Sequence, residues 1–99
     1  MRLTPLQVTA IRRSVCELAG ANTQVWLFGS RTDDAGRGGD VDLLLEFDHA
    51  VDQPALLAAQ IATRISRGLL GRKVDVLLKA PNLLQLPIHD LALAQGVRL

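Results

Sequence analysis

The stretch that most constrains this chain is D-V-D-L-L-L-E-F, residues 40–47, an apolar run that carries two carboxylates at its start. A strand alternates its faces with period two, so Val41, Leu43, Leu45 and Phe47 form a core face. Asp40 and Asp42 then point together to the other side. Two carboxylates at the mouth of a buried strand repel each other and lose hydration. A divalent cation with oxygen ligands offsets both costs. Upstream, residues 23–28 read as a buried first strand that runs into Gly29-Ser30. Those two residues offer unhindered backbone N–H groups and a hydroxyl, the donors a phosphate needs. Asp75, between Val74 and Val76, sits in a third strand-like run at residues 74–78. If that strand neighbours the first acidic one, three carboxylates converge. The implied chemistry is a metal with a phosphate.

The bulk properties fit one small domain spanning residues 1–99. The chain is 48% hydrophobic with a mean hydropathy of +0.22. That is apolar for its size, and part of this surface is expected to meet a partner, as an oligomer or a hetero-complex. Eleven basic residues face ten acidic ones, only three aromatics occur, and no basic cluster or stacking series appears. Direct nucleic-acid binding is therefore not expected. The lone Cys16 excludes an internal disulfide and suits a reducing compartment. With no membrane-length apolar run and no signal-peptide pattern, the expected location is the cytoplasm.

In chain order, Thr4-Pro5-Leu6-Gln7 is a helix start with Thr4 as N-cap and Gln7 completing a capping box. Val8, Ile11, Val15 and Leu18 give the core stripe, and Gly20 the stop. Gln7, Arg12, Ser14 and Glu17 form the polar face, and Cys16 is expected as a small buried hydrophobe beside the stripe. Trp26 reads as a core or edge-packing residue. His49 lies in a turn at residues 48–52 and is expected to be solvated. A helix over residues 54–67 buries Leu57, Ile61 and Ile65, with Gly68 or Gly71 ending it. Pro87 starts a last helix carrying Ile88, Leu91 and Ala94, and Gly96 stops it. His89 and Asp90 fall in its first turn, where Asp90 suits the macrodipole. Val97-Arg98-Leu99 fits either a short edge strand or a frayed end. The order is α-β-β-α-β-α, an α/β (α+β) domain with one small mixed sheet flanked by helices.

Phe28-Gly29-Ser30, Asp40-Val41-Asp42 and Asp75, in that order, resemble the signature of the nucleotidyltransferase superfamily with the DNA polymerase β fold. The resemblance covers nearly the whole chain and is closest to minimal, MNT-type members, the antitoxins of HEPN/MNT toxin–antitoxin pairs. It implies that Asp40, Asp42 and Asp75 are catalytic acids, with Asp40 and Asp42 holding one or two Mg²⁺ ions and Asp75 either binding the second metal or acting as base toward the acceptor hydroxyl. It also implies that Gly29, Ser30 and Arg31 contact the triphosphate of bound ATP. Many members carry a second arginine where this chain has Thr32-Asp33-Asp34, and Arg37 is the candidate substitute from farther along the loop. The implied activity is transfer of AMP from ATP to a tyrosine hydroxyl of a HEPN ribonuclease toxin. Two other readings stand beside it. One is a non-catalytic binding module that neutralises its partner by complex formation. The other is nucleotidyl transfer to a small molecule, for which 99 residues offer no second domain to build an acceptor pocket.

Overall fold

The chain enters its first helix through a reciprocal cap. Thr4 Oγ1 accepts from the Gln7 N–H at 3.1 Å, and Gln7 Oε1 accepts from the Thr4 N–H at 2.8 Å. The structure, a computed structural model, describes residues 3–28 and 41–99. Helix α1 (Pro5–Ala19) leads to strand β1 (Gln24–Phe28), and β2 (Val41–Glu46) to helix α2 (Pro54–Gly68). Strand β3 (Val74–Lys79), helix α3 (Pro87–Gln95) and the two-residue strand β4 (Val97–Arg98) complete the order. The sheet runs β3-β2-β1-β4; β2 and β3 are parallel, the other two pairs antiparallel. Of the two outcomes open for the C-terminus, the edge strand is the one formed.

The period-two pattern of β2 sorts the layers. Val41, Leu43 and Leu45 are fully buried and pack in one cluster with Ile11 and Val15 of α1 and Ile61 and Ile65 of α2. Fully burying an aliphatic side chain of this kind stabilises the fold by about 1.5–3 kcal/mol. Leu44 faces the other way and is just as buried, but lies outside that cluster. Its cover is α3, which packs on β1 and β2 and buries Ala92. The sheet thus has two helices on one face and a short helix on the other. Asn82 ties the connectors together, accepting from the Val51 N–H at 3.0 Å and donating to the Val51 carbonyl at 2.8 Å.

Several expectations need correction. Ser14 is buried rather than polar-face, because a 3.6-residue period puts it on the stripe of Ile11, Val15 and Leu18. Cys16 is exposed, one position past that stripe. On α3, Ile88 and Leu91 are 42% and 50% exposed and Ala94 is exposed too; the inward residues are His89 and Ala92. An apolar run has no polar face to mark its orientation, and contact with the sheet chose this one.

Candidate active site

The antiparallel β1/β2 pair and the parallel β2/β3 pair bring Phe28, Asp42 and Asp75 into one row across the sheet. In-register residues on adjacent strands share a face, and their backbones lie about 4.8 Å apart. Asp42 and Asp75 therefore stand side by side on the face that α3 only partly covers. Asp42 is half-buried and Asp75 is exposed. Asp42 and Lys73 each take part in a further polar or electrostatic interaction. The row is anchored where β3 begins, by a hydrogen bond from the Val41 N–H to the Lys73 carbonyl at 3.0 Å. One strand step back, Trp26 is half-buried, and among the described residues its buried indole N–H has no partner.

The same two strands carry a second charged pair. Glu46 is in register with Lys79, and their Oε2 and Nζ atoms are 3.2 Å apart. Glu46 thus pairs with a basic neighbour on the adjacent strand. His49 is exposed, bonded through Nδ1 to Asp48 Oδ1 at 2.9 Å, and set edge-on to Phe47. That hydrogen bond holds the Asp48 carboxyl below the ordinary carboxylate range.

Gly29, Ser30, Arg31, Arg37 and Asp40 lie outside the described residues. In sequence, Gly29 follows directly on Phe28 and Asp40 directly precedes Val41, so both adjoin the ends of the strands that form the row.

The family model of the nucleotidyltransferase domain matches residues 8–93, from within α1 to within α3. The chain belongs to that family. No curated protein and no solved structure matches it significantly. A nucleotidyltransferase moves a nucleoside monophosphate from a triphosphate to an acceptor, and the mixed sheet with its three helices is consistent with the family's fold.

The donor chemistry at the row fits the metal such a reaction generally uses. Asp42 and Asp75 offer hard carboxylate oxygens, and neither histidine nor Cys16 belongs to the row. An oxygen-only donor set selects Mg²⁺ over softer metals. Among the described residues no group of three or more potential ligands converges, so the described part of the site is these two acids.

His89 is the buried polar residue whose role the sequence reading missed. It is 5% exposed; its Nδ1 accepts from the Leu86 N–H at 2.9 Å and its Nε2 lies 3.1 Å from the Leu78 carbonyl. A backbone N–H can only donate, so Nδ1 is the acceptor and Nε2–H the donor. This imidazole pins α3 to β3. Its signal in the sequence was its place three residues after Leu86 in a helix opened by Pro87, where a side chain can reach back to the N-cap N–H.

Proposed function

We propose that this chain is an MNT-type, Mg²⁺-dependent adenylyltransferase that moves AMP from ATP to a tyrosine hydroxyl of a HEPN ribonuclease toxin. In this reading it acts in the cytoplasm as the antitoxin of the pair. The observation that carries the reading is the register of Asp42 with Asp75 on parallel neighbouring strands. Like charges this close are costly in a fold unless a cation is meant to sit between them.

Asp42 and Asp75, with Asp40 as the third acid, would hold one or two Mg²⁺ ions. Bound there, Mg²⁺ supplies charge compensation for the triphosphate and lowers the pKa of the acceptor hydroxyl. Gly29 and Ser30 donate hydrogen bonds to the triphosphate, and Arg31 and Arg37 offset its charge. Asp75, exposed at the edge of the row, would alternatively act as base and take the acceptor's proton. The acceptor oxygen then bonds to the α-phosphorus, the bond from that phosphorus to the bridging oxygen breaks, and pyrophosphate leaves. Holding these groups in line supplies much of the acceleration.

A second reading, a silent neutraliser that covers its toxin, is favoured by one feature. Leu84, Leu86, Ile88 and Leu91, on and before α3, are between 42% and 80% exposed. Intact-mass spectrometry of a HEPN partner after incubation with this protein, ATP and Mg²⁺ separates the two. A gain of one or more AMP units, lost with Asp75→Asn, is the expected result. A stable complex with no mass gain would replace the first reading with the second.

A further inference from the structure

The turn from α2 into β3 closes its helix against the usual residue preference. The Gly71 N–H donates to Ser66 O at 2.8 Å and the Leu70 N–H to Arg67 O at 3.4 Å, the paired bonds of a Schellman motif. That motif sets the residue after the C-cap in the left-handed region, where glycine is the common occupant. Here the occupant is Leu70, at φ 61°, and among the described residues it alone has a positive φ without being glycine. A β-carbon is strained there, so stability alone would favour glycine or asparagine. The side chain gains no packing in return, being 97% exposed. The apolar contact that often accompanies the motif is also missing, because Gly71 stands at the position that would make it.

The turn is hydrogen-bonded throughout. The Leu69 N–H donates to Ile65 O at 3.0 Å, and Ser66 Oγ donates to Arg72 O at 2.7 Å. Strain held in place by its surroundings is a feature of binding and catalytic segments. The charge around Leu70 is of one sign: residues 53–74 include Arg64, Arg67, Arg72 and Lys73 and no acid. Arg64 is engaged with Glu17 at 2.8 Å, whereas among the described residues neither Arg67 nor Arg72 forms an ion pair. The turn also leads into the acidic row. Asp75 follows Leu70 by five residues, at most about 18 Å along an extended chain.

We propose that Leu70 is a docking residue for the protein acceptor of the transfer, entering an apolar pocket on that protein whose rim carries carboxylates. The inference rests on the proposed function for its partner and deepens it by naming where that partner is held. A bare leucine calls for an apolar pocket, and the unpaired Arg67 and Arg72 call for an acidic rim. One leucine is too small an anchor for a lipid surface, where even a single myristoyl chain binds only marginally. No aromatic residue occurs between residues 53 and 74 to stack on nucleobases. A protein held at this turn would have its hydroxyl brought to the row by contacts that take no part in the chemistry.

The test reads binding and transfer separately, with the HEPN-domain protein as acceptor and this chain at full length. Calorimetry gives the affinity of the unaltered chain and of Asp75→Asn, so that binding is seen without chemistry. Leu70→Asn should weaken binding about tenfold or more, the scale of losing one buried leucine, and Leu70→Met should restore most of it. Arg67→Gln with Arg72→Gln should weaken it several-fold at low salt and less at high salt. In urea melts Leu70→Asn should be as stable as the unaltered chain or more so, and its thermal shift with ATP and Mg²⁺ should be unchanged. In the transfer assay its KM for the acceptor should rise while kcat stays within about twofold. Equal binding by the unaltered and Leu70→Asn chains would overturn the docking proposal and leave the transferase reading standing. So would no binding at all, or binding through Leu70 to anionic vesicles in place of the acceptor. Binding that depends on Leu70 with no transfer would sustain the docking residue and overturn the transferase reading.

Discussion

Strands β2 and β3 hold two charged pairs in register, and the two follow opposite rules. At one end Glu46 meets Lys79, opposite charges 3.2 Å apart. At the other Asp42 meets Asp75, like beside like. Both pairs sit on the same face of the same parallel ladder, so strand geometry does not explain the difference. The first arrangement is what stability alone would select. The second costs stability and is sensible where a cation and a phosphorylated substrate are to be bound. On the proposed function, one ladder carries a structural end and a chemical end.

That contrast breaks most visibly at the chemical end. Asp42→Asn should lower nucleotidyl transfer by about a thousandfold, the scale of several kcal/mol of transition-state charge stabilisation. Urea melts of Asp75→Asn should show stability unchanged or slightly raised, since a like-charge neighbour is removed. A matching loss of stability would mean the row is structural. At the other end, His89→Ala should cost about 2–3 kcal/mol by leaving the Leu86 N–H and the Leu78 carbonyl without their partner. Lys79→Met should cost about 1 kcal/mol or less, because the pair it breaks is only partly buried. Transfer should survive Lys79→Met at a normal rate; a loss like that of Asp42→Asn would erase the distinction between the ends.

The smallest effect concerns pH. The Asp48 carboxyl is held below its ordinary range by its hydrogen bond to His49. A depressed pKa means the contribution is present above the unfolded-state value and is lost as pH falls below about 4. The pair is exposed, so Asp48→Asn should flatten the acid limb of the stability profile barely measurably and only at low salt.

The sequence was most legible where periodicity and chemistry agreed. The alternation of Val41, Leu43 and Leu45 with Asp42 put the core on one side and the acid on the other, and β2 folds that way. The capping box at Thr4 and the aliphatic ladder of α2 are likewise read directly from residue type and spacing. What was hidden depends on contacts distant in sequence. Ile88 and Leu91 point outward because the sheet meets α3 through Ala92 and His89. A glycine stands at 96 because a Cβ there would come within 2.3 Å of the Ala92 carbonyl oxygen and 3.1 Å of that of Leu27. The sequence suggested only a helix stop, while the close approach of two backbones is the stronger reason. Asp75 was nominated as a third acid beside Asp40 and Asp42, on the condition that its strand neighbours theirs, and the β2/β3 register meets that condition for Asp42.

The central claim is that Asp42 and Asp75 together hold a metal-bound nucleotide. The most direct test is thermal unfolding with ATP and Mg²⁺, with and without EDTA, for the unaltered protein and for Asp42→Asn combined with Asp75→Asn. A ligand that binds only the folded state must raise the midpoint. The account predicts a rise that EDTA removes in the unaltered protein and no EDTA-sensitive rise in the double variant. An EDTA-sensitive rise of equal size in the double variant would contradict it.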